Sequence, residues 1–283
     1  MIAGKTIQMA DHGPGSGTDR FDRYTRIRAS RADGILTLML SNPKLRNAVD
    51  EQMHHELAQI FVDAQEDDDS RVIVLTGDPD GNAFCAGGDI AWMKASLEGK
   101  GKGPGVSEGR RIVTSLLDLE KPIVAAINGP AVGLGATIAL FCDVIFMGTT
   151  AQVADPHVRV GLVAGDGGAV IWPQLVGYAR AKEYLMTGDA VPAAEAERIG
   201  LVNYVVPDDV LQAEAHKFAS RLAAGAPQAI QHTKAAVNME LKRLAATVFD
   251  ASLAYEMISF TKDDHREAVT AFLEKRKPAF TGN

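Results

Sequence analysis

The run "KPIVAAINGPAVGLGATIALFCDVIFMGT" (residues 121–149) decides the fold of this 283-residue chain. It contains a short apolar segment, a glycine-rich turn, a longer apolar segment with helical spacing and a third apolar segment. Short apolar runs bounded by glycine and proline are typical of buried strands, and a strand, helix, strand order favours a parallel sheet. We therefore predict a strand over 121–128, a helix over 133–143 and a strand over 144–149.

The same order occurs earlier in the chain, with strands predicted over 35–40 and 71–77 and a helix over 49–67 between them. Two successive units of one kind predict a layered or spiral α/β body. From about residue 208 onward, the apolar residues recur at helical spacing only. The predicted organisation is a flexible tail over 1–25, an α/β core over 26–207 and a C-terminal helical subdomain over 208–283.

Composition and charge exclude several classes of function. The formal net charge of −7 and the lack of a basic stripe argue against nucleic-acid binding, because the phosphate backbone would be repelled. Two cysteines cannot build a disulfide framework, and the amino terminus lacks the order of regions found in a signal peptide. No apolar run reaches the roughly 20 residues needed to cross a bilayer. We predict a cytoplasmic protein without a membrane span.

Glycines are concentrated in two segments that each follow a predicted strand. These segments are "GNAFCAGGDI" (81–90) and "NGPAVGLGATIAL" (128–140). Glycine allows the backbone to approach a ligand closely, and the first N–H groups of a helix are available to an anion. The two segments are either ordinary tight turns or the two halves of an oxyanion hole.

Together, "AFCAGGDI" (83–90) and "KPIVAAINGPAVGLG" (121–135) resemble the signatures of the crotonase superfamily, the enoyl-CoA hydratase and isomerase family. The similarity extends from "NPKLRNAV" (42–49) to "AFLEKRKPAF" (271–280). The resemblance implies a crotonase-like spiral of ββα units followed by helices, assembled as a trimer or a pair of trimers. It also implies an acyl-CoA thioester as substrate, with no cofactor other than the coenzyme A that the substrate carries.

The resemblance also assigns residues to the site. It places the N–H groups of Gly88 and Leu134 in an oxyanion hole, where they would stabilise the enolate of a thioester. The positions that it implies for coenzyme A contact are Lys44, Leu45, Arg46, Ala86, Gly88, Asp89 and Ile90.

The chain departs from typical hydratases at both catalytic glutamates. Thr137 stands at the first glutamate position, and His157 stands at the second, within "DPHVRVGLVAGDGG" (155–168). An imidazole with a pKa near 6.5 is a competent general base, so we predict that His157 takes this role. Asp166 is predicted to orient that imidazole or to act as the acid.

A second resemblance concerns "GLVAGDGGAVIWPQLVG" (161–177), which with His157 is similar to the β-diketone hydrolase branch of the same superfamily, typified by 6-oxocamphor hydrolase. That branch uses a His and an Asp nine residues apart to hydrolyse a carbon–carbon bond. It also has a second histidine, matching His54, and a catalytic glutamate, matching Glu256. It differs at Val49, where the branch has tryptophan, and the intact "CAGGD" here is the form found in the coenzyme A enzymes.

Three functions therefore stay open. The first is enoyl-CoA hydratase or isomerase chemistry in which His157 and Asp166 replace the usual glutamates. The second is hydrolysis of a carbon–carbon bond in a β-diketone or β-keto substrate, and the third is an acyl-CoA-binding protein that has lost catalysis.

Several polar residues have a structural alternative to a catalytic role. Asp89 is predicted to cap a helix, Asp143 to support the fold, and Cys85 to be a packed side chain. The structural alternative is a solvent-facing or core position for His54 on its amphipathic helix, and a helix-surface carboxylate for Glu256. No cluster of His and Cys has metal-ligand spacing, so no metal is predicted.

Overall fold

The computed structural model describes residues 19–283, which form two sheets surrounded by helices. The strands are β1 (Ile27–Ala32), β2 (Ile35–Leu40), β3 (Val72–Gly77), β4 (Ile123–Ile127), β5 (Ala131–Val132), β6 (Val144–Gly148), β7 (Gln152–Ala154), β8 (Val191–Pro192) and β9 (Tyr204–Val206). The helices are α1 (Glu51–Gln65), α2 (Ile90–Leu97), α3 (Val106–Asp118), α4 (Leu134–Leu140), α5 (Gly168–Thr187), α6 (Ala193–Arg198), α7 (Leu211–Ala223), α8 (Pro227–Phe260) and α9 (Asp263–Leu273).

The large sheet has the strand order β1-β2-β3-β4-β6-β9 and is parallel except for the β1–β2 pair. Every residue of β3 and β4 is buried, as expected for parallel strands covered on both faces. The predicted parallel α/β fold is therefore confirmed. The edge strand β1 was not predicted, because its charged residues alternate with smaller ones and leave no continuous apolar run.

The small sheet, with the order β5-β7-β8, brings distant parts of the chain together. Strand β5 directly precedes α4 and pairs in parallel with β7. The start of α4 therefore lies beside the segment that follows β7, which contains His157. Sequence patterns did not indicate these strands because they are only two or three residues long.

The C-terminal helices cover the large sheet and the site. Helix α7 packs its alanine-rich face against β3, β4 and β6. The predicted C-terminal helical subdomain contains the single 34-residue helix α8, whose sequence reads as two apolar segments over 227–242 and 245–259. Nothing between them interrupts the helix, since the connecting residues include neither glycine nor proline. In the described part of the chain, no helix is both long and apolar enough to span a membrane.

The predicted flexible tail over 1–25 falls mostly on residues 1–18, which lie outside the described residues. The described chain begins with a short 3-10 helix, Arg20–Arg23, in which Phe21 is buried in the main core. Packed structure therefore begins before the predicted boundary at residue 25.

An ion pair between a buried Lys234 side chain and a partly exposed Asp143 attaches α8 to the large sheet. Lys234 Nζ lies 2.7 Å from Asp143 Oδ2 and also donates to the Lys121 carbonyl at 2.9 Å. Asp143 Oδ2 accepts a hydrogen bond from the Ile123 N–H at 2.8 Å, at the start of β4. Burial raises the pKa of Asp143, while the charge of Lys234 acts in the opposite direction. The structural role predicted for Asp143 agrees with these contacts.

We expect Asp143→Ala to lower the free energy of unfolding by about 3 kcal/mol, because it leaves the Lys234 ammonium buried without a counter-charge. The side chain of Lys234 is only 8% exposed. Urea denaturation measures the change. The matched control is Asp118→Ala, which breaks an exposed ion pair to Lys242, a residue of α8 like Lys234. This control should lower the free energy of unfolding by less than about 1 kcal/mol. Equal losses in the two variants would contradict this account.

Candidate active site

The first feature of the site is an unpaired backbone N–H at Gly88. The Val49 N–H donates to the Gly87 carbonyl at 2.8 Å, and the Asp89 N–H donates to the Val49 carbonyl at 2.9 Å. Gly87 has a φ of +86°, and a Cβ there would lie 3.0 Å from the Val132 carbonyl oxygen, so this position requires glycine. Within residues 19–283, the Gly88 N–H donates to no acceptor. It is therefore available to a ligand.

A second unpaired N–H belongs to Leu134, the first residue of α4. Gly133 precedes it with φ 53° and ψ −124°, a conformation that glycine adopts without strain. The Gly133 N–H donates to the Ala154 carbonyl at 2.9 Å, which fixes the start of the helix. The Leu134 N–H has no hydrogen-bond acceptor in the described part of the chain. Both residues predicted to form the oxyanion hole thus have free N–H groups.

Gly88 and Leu134 line the same cavity, which has a volume of about 60 Å³. Four titratable side chains share its wall, namely those of His54, His157, Asp166 and Glu256. The rest of the lining is largely apolar and comes mainly from α2 and α8. The structure therefore brings the two N–H groups and the predicted acid/base residues to one enclosed space.

His157 and Asp166 lie close together, as the sequence predicted. His157 begins a 3-10 helix after β7, and Asp166 lies in the turn before α5. The His157 Nε2 is 3.5 Å from Asp166 Oδ2, and its Nδ1 is 2.5 Å from Asp155 Oδ1. Thr137 Oγ1 donates to Asp166 Oδ1 at 3.1 Å. The Thr137 hydroxyl therefore holds the Asp166 carboxylate.

Glu256 reaches the same cluster from α8. It is 5% exposed, and its Oε2 has no hydrogen-bond partner among the described residues. A Cβ at Gly165 would lie 2.6 Å from the Glu256 Cβ and 2.3 Å from the Ser252 carbonyl oxygen. Ser252 Oγ also donates to the Gly165 carbonyl at 3.0 Å. The small residue at 165 thus allows α8 to pack on the turn that carries Asp166, and Glu256 is a buried side chain rather than a surface carboxylate.

The electrostatics of the cluster shift all three pKa values upward. Burial alone would lower the pKa of His157, but the charges of Asp155 and Asp166 raise it well above 6.5. Burial raises the pKa of Asp166, with His157 opposing the shift. Burial, followed by the charge of Asp166, raises the pKa of Glu256 to about 8. Near neutral pH, His157 is therefore an imidazolium and Glu256 is protonated, so the prediction of an ordinary pKa for His157 is wrong.

Asp155 is the residue that sequence reasoning missed. It is 1% exposed, and its carboxylate holds the His157 ring through Nδ1. The available signal was a carboxylate two residues before the candidate base. Asp155, His157 and Asp166 also bring ligand atoms within 4.8 Å of one another, so three side chains could in principle hold a metal. The 2.5 Å contact between Asp155 and His157 is a hydrogen bond. Two ligand atoms on one tetrahedral zinc are roughly 3.3 Å apart, so these two atoms are too close together to bind one zinc ion in this arrangement.

A larger groove of about 380 Å³ adjoins the cavity and shares Gly88, Met93 and His157 with it. Of the positions implied for coenzyme A contact, Ala86, Gly88 and Ile90 line this groove. Lys44, Leu45, Arg46 and Asp89 do not. Two cationic residues that the sequence did not single out, Arg159 and Arg276, do line it.

The Arg46 carbonyl accepts a hydrogen bond from the Ala86 N–H at 3.2 Å, so the segment around Arg46 supports the groove through the backbone. Asp89 accepts from the Ala91 N–H at 3.0 Å and caps α2, as predicted. Cys85 is fully buried, and burial raises the pKa of its thiol to about 12, which fits a packed side chain.

The loop predicted over 96–109 is shorter in the structure, because α2 extends to Leu97 and α3 begins at Val106. Pro104 and Gly105 belong to the cavity lining. Trp92 Nε1 donates to the Lys102 carbonyl at 2.8 Å and so attaches the loop to α2. The loop is therefore part of the cavity wall.

Comparison with known proteins identifies the family of the chain. The sequence model of the family described as Enoyl-CoA hydratase/isomerase matches residues 30–283. Crotonyl-CoA hydratase of Syntrophomonas wolfei is 33% identical over 91% of this chain and 98% of its own length. The 1,2-epoxyphenylacetyl-CoA isomerase of Escherichia coli K12 is 33% identical over 88% of this chain and 95% of its own length.

A solved structure gives the same result for the fold. The crystal structure of an enoyl-CoA hydratase/isomerase from Mycobacterium paratuberculosis superposes with a TM-score of 0.80. It is 35% identical, and the match covers 87% of this chain and 98% of that one.

We expect His157 to be protonated at pH 7.5 and to titrate well above 6.5, because two neighbouring carboxylates stabilise the imidazolium. Asp155→Asn should lower this midpoint, since it removes one of those charges. Nitrogen-15 NMR of histidine-labelled protein measures it, with His157→Gln to assign the signal. Asp118→Asn is the control, because Asp118 pairs with Lys242 and does not line the cavity. A midpoint near 6.5 in the unmodified protein would show that the shift is absent.

Proposed function

This chain belongs to the enoyl-CoA hydratase/isomerase family, and on that basis we propose that it forms the enolate of an acyl-CoA thioester and moves protons at its α-carbon. This proton transfer underlies both double-bond migration and the addition of water. The observation that carries the proposal is the convergence of two free N–H groups and an acid/base cluster on one cavity. The proposal requires no cofactor besides the coenzyme A of the substrate.

The N–H groups of Gly88 and Leu134 supply the electrostatic part of the reaction. When an α-proton leaves a thioester, negative charge develops on the carbonyl oxygen. Two fixed donors stabilise that charge without reorganising, and a small enclosed cavity strengthens the interaction. The first glycine-rich segment keeps the sequence "CAGGD" (85–89) that the coenzyme A enzymes have, and Asp89 caps α2 there. Both features support a thioester as the ligand.

Asp166 and Glu256 supply the acid/base part of the reaction. Two carboxyl groups with raised pKa values in one cavity do not ionise together easily, so one is a base while the other is an acid. The imidazolium of His157 favours ionisation of Asp166, its closer neighbour. We assign Asp166 as the base that takes the α-proton and Glu256 as the acid that returns one. The positive charge of His157, which Asp155 holds in place, keeps Asp166 as the base and Glu256 as the acid. His157 can also relay a proton.

This arrangement accounts for the two missing glutamates. Thr137 replaces the first glutamate and donates to Asp166, so the carboxylate comes from the turn before α5 instead of from α4. His157 replaces the second glutamate and contributes a positive charge. The acid/base function is therefore supplied from different elements of the same fold.

Hydrolysis of a carbon–carbon bond is the alternative that the His157–Asp166 contact would also permit. The relatives described above are a hydratase and an isomerase of coenzyme A esters, which favours the thioester. Assembly as a trimer or a pair of trimers is also part of our proposal. Val237 and Met239 on α8 are more than 70% exposed, and such side chains are compatible with contact between subunits.

We expect the protein in deuterium oxide to exchange the α-hydrogens of butanoyl-CoA or the γ-hydrogens of crotonyl-CoA, measured by mass spectrometry of the thioester. Asp166→Asn should slow this exchange by about 10²- to 10⁴-fold, because it removes the base. Asp118→Asn, which changes an exposed carboxylate that lines neither the cavity nor the groove, is the control. Cleavage of a cyclic β-diketone without exchange on any acyl-CoA would instead establish the hydrolase alternative.

A further inference from the structure

His54 is a cavity residue for which the proposed reaction has no use. It lies on α1, it is 4% exposed, and its ring centroid is 5.5 Å from that of Trp92. It lines the same small cavity as Gly88 and Leu134. A polar ring in an otherwise apolar part of the wall requires a physical reason.

The hydrogen bond to Glu108 fixes the tautomer of His54. Its Nδ1 lies 3.0 Å from Glu108 Oε2, and the neighbouring His55 places its Nδ1 2.8 Å from the other oxygen of the same carboxylate. Burial opposes ionisation of Glu108, but the hydrogen bonds from the two histidines lower its pKa overall. The carboxylate accepts, so His54 Nδ1 carries the proton. For His54 itself, burial lowers the pKa of the imidazole. The ring is therefore neutral, and Nε2 keeps its lone pair.

Nothing in the described residues hydrogen-bonds to His54 Nε2, although the ring is buried against the cavity. The Nε2 atom is not among the fully buried polar atoms that lack a partner, so it is reachable from the cavity. A donor on a bound ligand can therefore hydrogen-bond to it. The other polar groups of the cavity belong to the acid/base cluster or to the N–H pair, so His54 is available for a part of the ligand that does not react.

We propose that His54 Nε2 accepts a hydrogen bond from a hydroxyl or amide donor carried on the acyl group beyond the reacting carbons. The substrates are then short acyl-CoA thioesters with a polar donor on the acyl chain. This inference rests on the proposed function, because it places the thioester carbonyl at Gly88 and Leu134.

The size of the cavity supports a short acyl group. Its volume of about 60 Å³ is far below the roughly 300–1,000 Å³ of sites that hold drug-sized ligands. The adjoining groove of about 380 Å³ is large enough for part of the coenzyme A. His54 lines this small cavity together with Gly88 and Leu134. A donor that contacts His54 is therefore expected only a few atoms along the acyl chain from a carbonyl held by the two N–H groups. A site built to bond a hydroxyl discriminates strongly against an analogue that lacks it.

The test compares ω-hydroxyacyl-CoA thioesters of four to six carbons with the matched thioesters in which a methyl group replaces the hydroxyl. Exchange of α-hydrogens with deuterium gives kcat/KM, and calorimetry gives Kd. We expect at least one hydroxylated thioester to be preferred by about tenfold or more. His54→Phe should abolish or reverse that preference. His54→Gln, which can place an oxygen near the position of Nε2, should retain part of it.

The matched control is His55→Phe. His55 bonds to the same Glu108 carboxylate but is 62% exposed at its side chain and does not line the cavity. Both phenylalanine variants remove one hydrogen bond to Glu108, so only a change confined to His54→Phe reports the cavity acceptor. Thermal unfolding identifies any variant that fails to fold, and the glutamine variant then decides.

Each remaining outcome has a definite meaning. Equal kcat/KM and Kd for every hydroxyl and methyl pair would overturn the role of His54 while leaving the proposed function intact. Loss of the preference in His55→Phe to the same extent would also overturn it. If no acyl-CoA exchanges deuterium, the proposed reaction fails, and the ratio of Kd values alone decides whether His54 recognises the hydroxyl. If no acyl-CoA binds, both proposals are wrong.

Discussion

The site depends on two backbone N–H groups that the strands and turns leave unpaired, those of Gly88 and Leu134. Buried backbone donors nearly always find a partner, so an unpaired donor at a cavity is an unusual and informative feature. The backbone beside them is fixed by hydrogen bonds: Val49 bonds on both sides of Gly88, and the Gly133 N–H donates to the Ala154 carbonyl. Because those bonds belong to the sheet framework, the position of the two donors is set by the fold and does not require ligand binding. An oxygen that gains negative charge between them is stabilised without rearrangement.

A second constraint is that three carboxyl groups and one imidazole share a space with little access to water. Asp155 is held against His157, so the imidazole ring is oriented and charged before any substrate arrives. Asp166 and Glu256 then cannot ionise together at low cost, and burial raises the pKa of both carboxyl groups. The acid/base chemistry that two glutamates carry out in typical hydratases is thus compatible with different residues. The requirement is that the cavity contains one proton acceptor and one proton donor.

The fold was largely predictable because β2, β3, β4 and β6 are short apolar runs bounded by glycine and proline, which are local signals. The two N–H donors followed from the resemblance of motifs that are continuous in sequence. The role of Asp155 and the buried position of Glu256 were harder to foresee, although a resemblance had singled out Glu256. Glu256 reaches the site only because α8 packs on Gly165, some ninety residues earlier, and no local pattern encodes such a contact. The raised pKa of His157 likewise depends on charges from three separate segments, so the ordinary value of an isolated imidazole was a poor guide.

The central claim is that the two N–H groups stabilise a thioester enolate, and removing one of them tests it most directly. Leu134 is the first residue of α4, where proline is tolerated because the N–H makes no intrahelical bond. Leu134→Pro therefore removes the donor, whereas Leu134→Ala shortens the side chain and keeps the donor. With circular dichroism confirming the fold of both, kcat for α-hydrogen exchange of an acyl-CoA should be about 10²- to 10³-fold lower in the proline variant than in the alanine variant. Equal kcat values in the two variants would contradict the account.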